Sequence, residues 1–88
     1  MEKMEMEKGK MVTIVFRKFQ GAEYSIIGKG IESRYGKIEN SREQIDIPIL
    51  GMDKLIDITI DGLDFIVNMS GSFAFRSGER EIYVWIRD

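Results

Sequence analysis

Histidine and cysteine are both missing from this 88-residue chain. An imidazole base, a Ser-His-Asp triad, a thiolate nucleophile and the usual zinc ligand sets are therefore excluded at the outset. Paired carboxylates are the general acid–base device that remains. Asp46, Asp57 and Asp64 each stand on the polar side of an alternating segment, and Asp57 and Asp64 flank one turn. With Asp53 and Asp61 they make an acidic strip whose oxygens could hold a hard cation. No metal-loop spacing accompanies them, and their simpler role is to keep a sheet face solvated and unaggregated. Gly28-Lys29-Gly30 has neither GxxxxGK(S/T) nor GxGxxG spacing, and no helical pattern follows it to offer an N-terminus to phosphate. Ser70 and Ser72 have no base to activate them. The expectation is a protein that is not an enzyme and takes neither cofactor nor metal.

A different constellation points to recognition. Near the C-terminus Glu81, Tyr83, Trp85 and Arg87 share one side of an alternating segment, opposite Ile82, Val84 and Ile86. In the first segment Thr13, Val15, Arg17 and Phe19 lie opposite Val12, Ile14 and Phe16. If the two segments pair, Arg17, Phe19, Tyr83, Trp85 and Arg87 form one aromatic and cationic patch. Small barrels stack the bases of single-stranded nucleic acid on such platforms. Trp, Tyr and Arg equally dominate the energetic centres of protein–protein interfaces. The balance of 13 Lys plus Arg against 15 Asp plus Glu, a net charge of -2, gives little long-range attraction to phosphate. The plain structural role of Tyr83 and Trp85 is cross-strand packing or cover by the N-terminal tail; if the patch binds, a protein partner or self-association is the first expectation, and single-stranded nucleic acid or a nucleotide the alternative. Arg34 and Tyr35, at the predicted tip of a polar hairpin within residues 29–43, add a second candidate contact, because loops carry function more freely than packed strands.

The elements that must position these residues are strands. The chain contains 14 Ile and 4 Val but only 3 Leu and 2 Ala, and β-branched side chains favour a pleated surface over a helix. Residues 10–19 read as a first strand and 23–33 as a second, bent at Gly28 and Gly30. Arg34-Tyr35-Gly36-Lys37 reads as a turn. Residues 44–50, 55–60 and 63–70 alternate apolar and polar with the period of two that a half-buried strand requires. Asp61-Gly62 between the last two is the strongest hairpin signal in the chain, since a two-residue type I′ loop needs positive φ twice. Pro48 lacks an N–H and marks an edge or bulge. Gly51-Met52-Asp53-Lys54 and Gly71-Ser72 read as turns, and residues 73–77 and 80–88 as a closing pair.

This is an all-β pattern: a small antiparallel barrel, or a compact β-sandwich, of seven to eight short strands joined mainly by hairpins. The first and last strands are the most apolar, and natural proteins avoid leaving such strands as edges. Pairing them with each other would protect both, which favours a closed or nearly closed barrel; coverage by another chain is the second solution. Residues 1–10 (MEKMEMEKGK) have no apolar periodicity and read as a frayed, charged tail, leaving residues 11–88 as a single all-β domain. No segment has the apolar length of a membrane span or the continuous apolar core of a secretory signal. The expectation is a soluble, cytoplasmic protein with no membrane partner.

Overall fold

The β-branched segments build eight strands and no helix in the computed structural model, which describes residues 10–51 and 55–87. They are β1 (Met11–Arg17), β2 (Glu23–Gly28), β3 (Arg34–Lys37), β4 (Arg42–Pro48), β5 (Leu55–Ile60), β6 (Leu63–Asn68), β7 (Phe73–Ser77) and β8 (Arg80–Arg87). Every ladder is antiparallel, and the strands form two four-stranded sheets. Sheet A has the order β4-β1-β8-β7 and sheet B the order β3-β2-β5-β6. Residues 1–9, the 52–54 portion of the predicted turn and Asp88 lie outside the described residues.

The first and last strands do pair, Ile14 opposite Val84 and Phe16 opposite Ile82, so both sit in the interior of sheet A. Closure is nevertheless not that of a barrel. The neighbour circuit runs 4-1-8-7-6-5-2-3, but no ladder joins β7 to β6 or β3 to β4. The result is a sandwich, with side chains at the β6–β7 seam instead of backbone bonds. There Phe65 reaches across to Phe73 and Phe75, with ring centroids 5.4 and 4.8 Å apart. Gly71-Ser72 is therefore a crossover between sheets and not the turn of a β6–β7 hairpin.

The inner faces supply a core in which Ile14, Phe16, Ile26, Ile47, Ile58, Ile60 and Ile82 are all buried. Alternation along each strand explains the selection, because every second side chain of both sheets points into the gap between them. At each end, backbone bonds between connections hold the sheets together. Gly21 N–H donates to Ile38 O and Ile38 N–H to Ala22 O at one end, and Leu50 and Gly51 N–H donate to Gly30 O at the other. Asp61 and Gly62 take φ of 50° and 80° and close the β5–β6 hairpin as the sequence predicts. Pro48 ends β4, which pairs only with β1 and is an edge of its sheet.

Two predicted segments are relocated. The second strand stops at Gly28, and the chain turns at Gly30, whose φ is 83°. Arg34–Lys37 is then no turn: it is strand β3, the edge of sheet B, paired with β2. Gly36 permits this pairing, since a Cβ there would stand 2.8 Å from the Tyr24 hydroxyl oxygen. The Tyr24 ring occupies that space and packs on Phe16.

Candidate functional site

Sheet A presents its outer face in rows that run across the four strands. Arg42, Arg17, Glu81 and Arg76 form one row; Gln44, Val15, Tyr83 and Ala74 form the next; Asp46, Thr13 and Trp85 form a third. Arg87 lies opposite Met11 beyond them. Four of the predicted patch residues, Arg17, Tyr83, Trp85 and Arg87, thus share one face as expected.

Phe19 does not join them. Lys18 adopts φ of 66°, which ends β1 at Arg17 and breaks the alternation. Phe19 is turned into the core, fully buried, with its ring edge-on to Phe16 at 5.9 Å. The Arg80 guanidinium caps the ring at 4.6 Å and also pairs with Asp61 of the β5–β6 hairpin. Arg34 and Tyr35 lie on the other sheet, away from the patch, where Arg34 meets Glu32 at 3.7 Å and Tyr35 projects outward.

The cations of this face are largely spoken for. Thr13, wholly buried on an outer face, donates its hydroxyl to Asp46 Oδ1 at 2.8 Å and accepts from Arg87 Nε at 2.7 Å. Arg87 Nη2 closes the ring to Asp46 Oδ2 at 2.9 Å. The Thr13 hydroxyl, with help from Gln44 and Arg87, holds the Asp46 carboxyl below its ordinary range against the opposing effect of burial. Arg17 and Arg76 both reach Glu81, at 3.3 and 3.2 Å. The Tyr83 hydroxyl accepts from Arg76 at 2.8 Å and donates to Glu81 at 3.2 Å, so its ring stands fixed. Among the described residues Arg42 is the one arginine with no carboxylate partner.

Between these groups lies an open depression of ≈ 450 Å³, lined by Val15, Ala74, Tyr83 and Trp85 and bordered by Arg17, Arg42 and Glu81. Its chemistry is that of an apolar floor beside two aromatic rings, with one uncommitted positive charge at the rim. Arg42 and Ala74 join this site without standing among the residues expected from the sequence. The signal for Arg42 was its even spacing from Gln44 and Asp46, which extends β4 to the row of Arg17.

Sheet B differs. Its outer face carries Ser25, Ile27, Tyr35, Leu55, Asp57, Thr59, Asp64 and Ile66. Asp57 lies directly between Ile27 on β2 and Ile66 on β6. A hydrogen bond shared with Asp64, then burial, then repulsion from the Asp64 charge raise the Asp57 carboxyl above its ordinary range. Asp57 Oδ1 is buried with no hydrogen-bond partner.

The predicted acidic strip is not assembled. Asp46 belongs to sheet A, Asp61 is held by Arg80, and Asp53 lies outside the described residues. No cluster of three acidic side chains suited to a metal occurs among the described residues. No described helix is long and apolar enough to cross a membrane. The fold and face define an all-β sandwich with a surface depression; comparison with protein-family models, curated proteins and solved structures finds no match.

Proposed function

We propose that the protein is a non-enzymatic binding module that acts through protein–protein contact, with the Tyr83–Trp85 depression as its anchor site. The observation that carries this reading is the state of the charges around that depression. Arg17, Arg76 and Arg87 are committed to Glu81 and Asp46, so a phosphate backbone would have to compete with carboxylates already in place. An apolar or aromatic side chain loses nothing of that kind when it settles on Val15 and Ala74 between two rings. Aromatic anchors in desolvated pockets are where protein interfaces concentrate their energy, and a carboxylate on the partner would find Arg42 at the rim. Inhibitors, immunity-type factors and assembly factors, including self-associating ones, all work in this manner.

The nucleic-acid alternative uses Trp85 as a stacking platform. Trp85 is the single tryptophan, so its fluorescence reports occupancy of the face directly. Single-stranded oligonucleotides at low salt should leave its emission unchanged. A host protein retained by the wild type should be lost by Trp85→Ala with the fold intact. Quenching by oligonucleotide that weakens steeply with salt, or capture indifferent to Trp85→Ala, would reverse the reading.

A further inference from the structure

We propose that the two outer faces of the sandwich fit one another, so that a second copy of this chain seats its sheet B face on the sheet A depression of the first, head to tail. The proposal rests on reading that depression as a protein-binding site and names its occupant. Two unmet needs meet in this arrangement. Among the described residues Arg42 is the one arginine without a carboxylate, and Asp57 Oδ1 is the one buried side-chain oxygen without a donor. A guanidinium from the facing copy would supply a donor and a positive charge to Asp57 beside Asp64. The raised carboxyl of Asp57 is the signature of that unmet demand.

The apolar parts complement one another in the same pose. Ile27 and Ile66 stand exposed on either side of Asp57, while Val15, Ala74, Tyr83 and Trp85 line a concavity. Across the three strands the two isoleucines lie about 9–10 Å apart, a separation that lets one of them enter the depression while Asp57 reaches its rim.

Like-on-like pairing is disfavoured by charge. Sheet B on sheet B would crowd four carboxylates from two copies of Asp57 and Asp64, and sheet A on sheet A would oppose two rows that each hold three arginines against Glu81. A heterologous contact between different faces does not close on itself, so growth continues past the dimer. The contact is also small. A face of four strands about 4.8 Å apart and about five residues long presents roughly 300–400 Å². A stacked pair therefore buries less than the roughly 1,200 Å² of a stable specific interface, and assembly is weak and concentration-dependent.

Analytical ultracentrifugation from about 10 μM to about 1 mM, the range where interfaces this small associate, tests the arrangement through a charge swap. The wild type should gain mass with concentration and pass beyond a dimer. Arg42→Glu and Asp57→Lys should each weaken assembly by about tenfold or more, the scale of reversing one interfacial charge. An equal mixture of the two should recover it, because each altered face then meets its complement. Circular dichroism checks folding, and should Asp57→Lys not fold, Ile66→Ser, at a site 69% exposed, tests the loss of assembly alone, without the mixing arm. A strictly monomeric wild type, a closed dimer, variants that assemble normally, or a mixture that fails to recover would each overturn the proposal. Capture of a foreign protein lost in Trp85→Ala, from a strictly monomeric wild type, would retain the anchor reading and reject the second copy.

Discussion

On the outer face of sheet A, Val15 is only 3% exposed and Thr13 not at all; on that of sheet B, Ile66 is 69% exposed and Ile27 44%. Both faces lie over the same core and are built from strands of similar length. What differs is the neighbours. Across from Val15 and Thr13 stand Tyr83 and Trp85, with Arg17 and Arg87 beside them, side chains long enough to fold over a central strand while keeping polar tips in water. Across from Asp57 and Thr59 stand Ile27, Ser25, Ile66 and Asp64, none of them a long side chain with a polar tip, and Ile27 and Ile66 stay exposed themselves. Of the six large hydrophobic side chains most exposed among the described residues, Ile27, Tyr35, Leu55 and Ile66 belong to this one face. Isolated exposed hydrophobics are ordinary; their concentration on one sheet is what marks an interaction surface. The lesson is that sheet A, Arg42 excepted, pairs its charged groups internally around its hollow, whereas sheet B, which has a hollow of its own of ≈ 610 Å³ beside Ser25, Tyr35 and Thr59, leaves both apolar and acidic demand open.

Substitutions can break or sharpen this contrast. The largest effect is expected at the boundary of sheet A, where Phe19 and Trp85 share the parity of the sequence pattern but not its outcome. Phe19→Ala should cost about 3–5 kcal/mol in chemical denaturation, the range for removing a buried aromatic ring. Trp85→Ala should cost less than about 1.5 kcal/mol, as expected for a partly exposed side chain outside the core. Equal losses would mean that Trp85 packs as core and that the depression is incidental.

The next effect is one of opposite signs at two aspartates. Asp46→Asn removes the charge that Thr13 and Arg87 stabilise and should lower stability by about 1–2 kcal/mol. Asp57→Asn removes a charge held beside Asp64 and should leave stability unchanged or raise it. The pH dependence follows the same division. Asp46 is more acidic when folded, so its contribution is complete above its ordinary value of 3.8 and is lost as pH falls through its lower folded value. Asp57 holds its proton more tightly when folded, so its contribution is complete below 3.8 and declines as pH rises through the raised folded value. Urea midpoints of the two variants measured across the acid range should therefore diverge from the wild type in opposite directions.

The smallest effect belongs to Ile66→Ser, within about 0.5 kcal/mol of the wild type for folding, measured on dilute protein by the same denaturation curves. A loss of several times that amount would place Ile66 in the core and remove the apolar element of the sheet B surface.

Much of this architecture is legible in the residues. The apolar alternation of β5, β6 and β8 reports their inward sides, with the extent of β6 overrun by two residues, and the apolar terminal strands foretell the β1–β8 pairing. Less is legible where a single backbone torsion intervenes. Lys18 has no sequence feature that announces a φ of 66°, yet that residue decides whether Phe19 faces solvent or core. Strand β3 is hidden for a different reason. Its four residues carry little apolar pattern of their own, and it is ordered through Tyr24 lying against Gly36 and through pairing with β2. Whether neighbouring strands share a ladder or only a seam is also a tertiary matter, settled at β6–β7 by the packing of Phe65 on Phe73 and Phe75. At the candidate site, the grouping of Arg17, Tyr83, Trp85 and Arg87 follows from parity alone. The sheet B surface was visible only as two exceptions, Leu55 and Ile66, standing on otherwise polar sides.

The central claim is that sheet A offers a protein-binding hollow complementary in charge and shape to sheet B, and Trp85 emission measures it most directly. In the wild type the emission should shift to shorter wavelength as concentration rises and the indole leaves water. Asp57→Lys lies on the opposite sheet and leaves the indole's own surroundings untouched, and it should abolish that shift. An emission spectrum independent of concentration, or one that shifts equally in Asp57→Lys, would contradict the account.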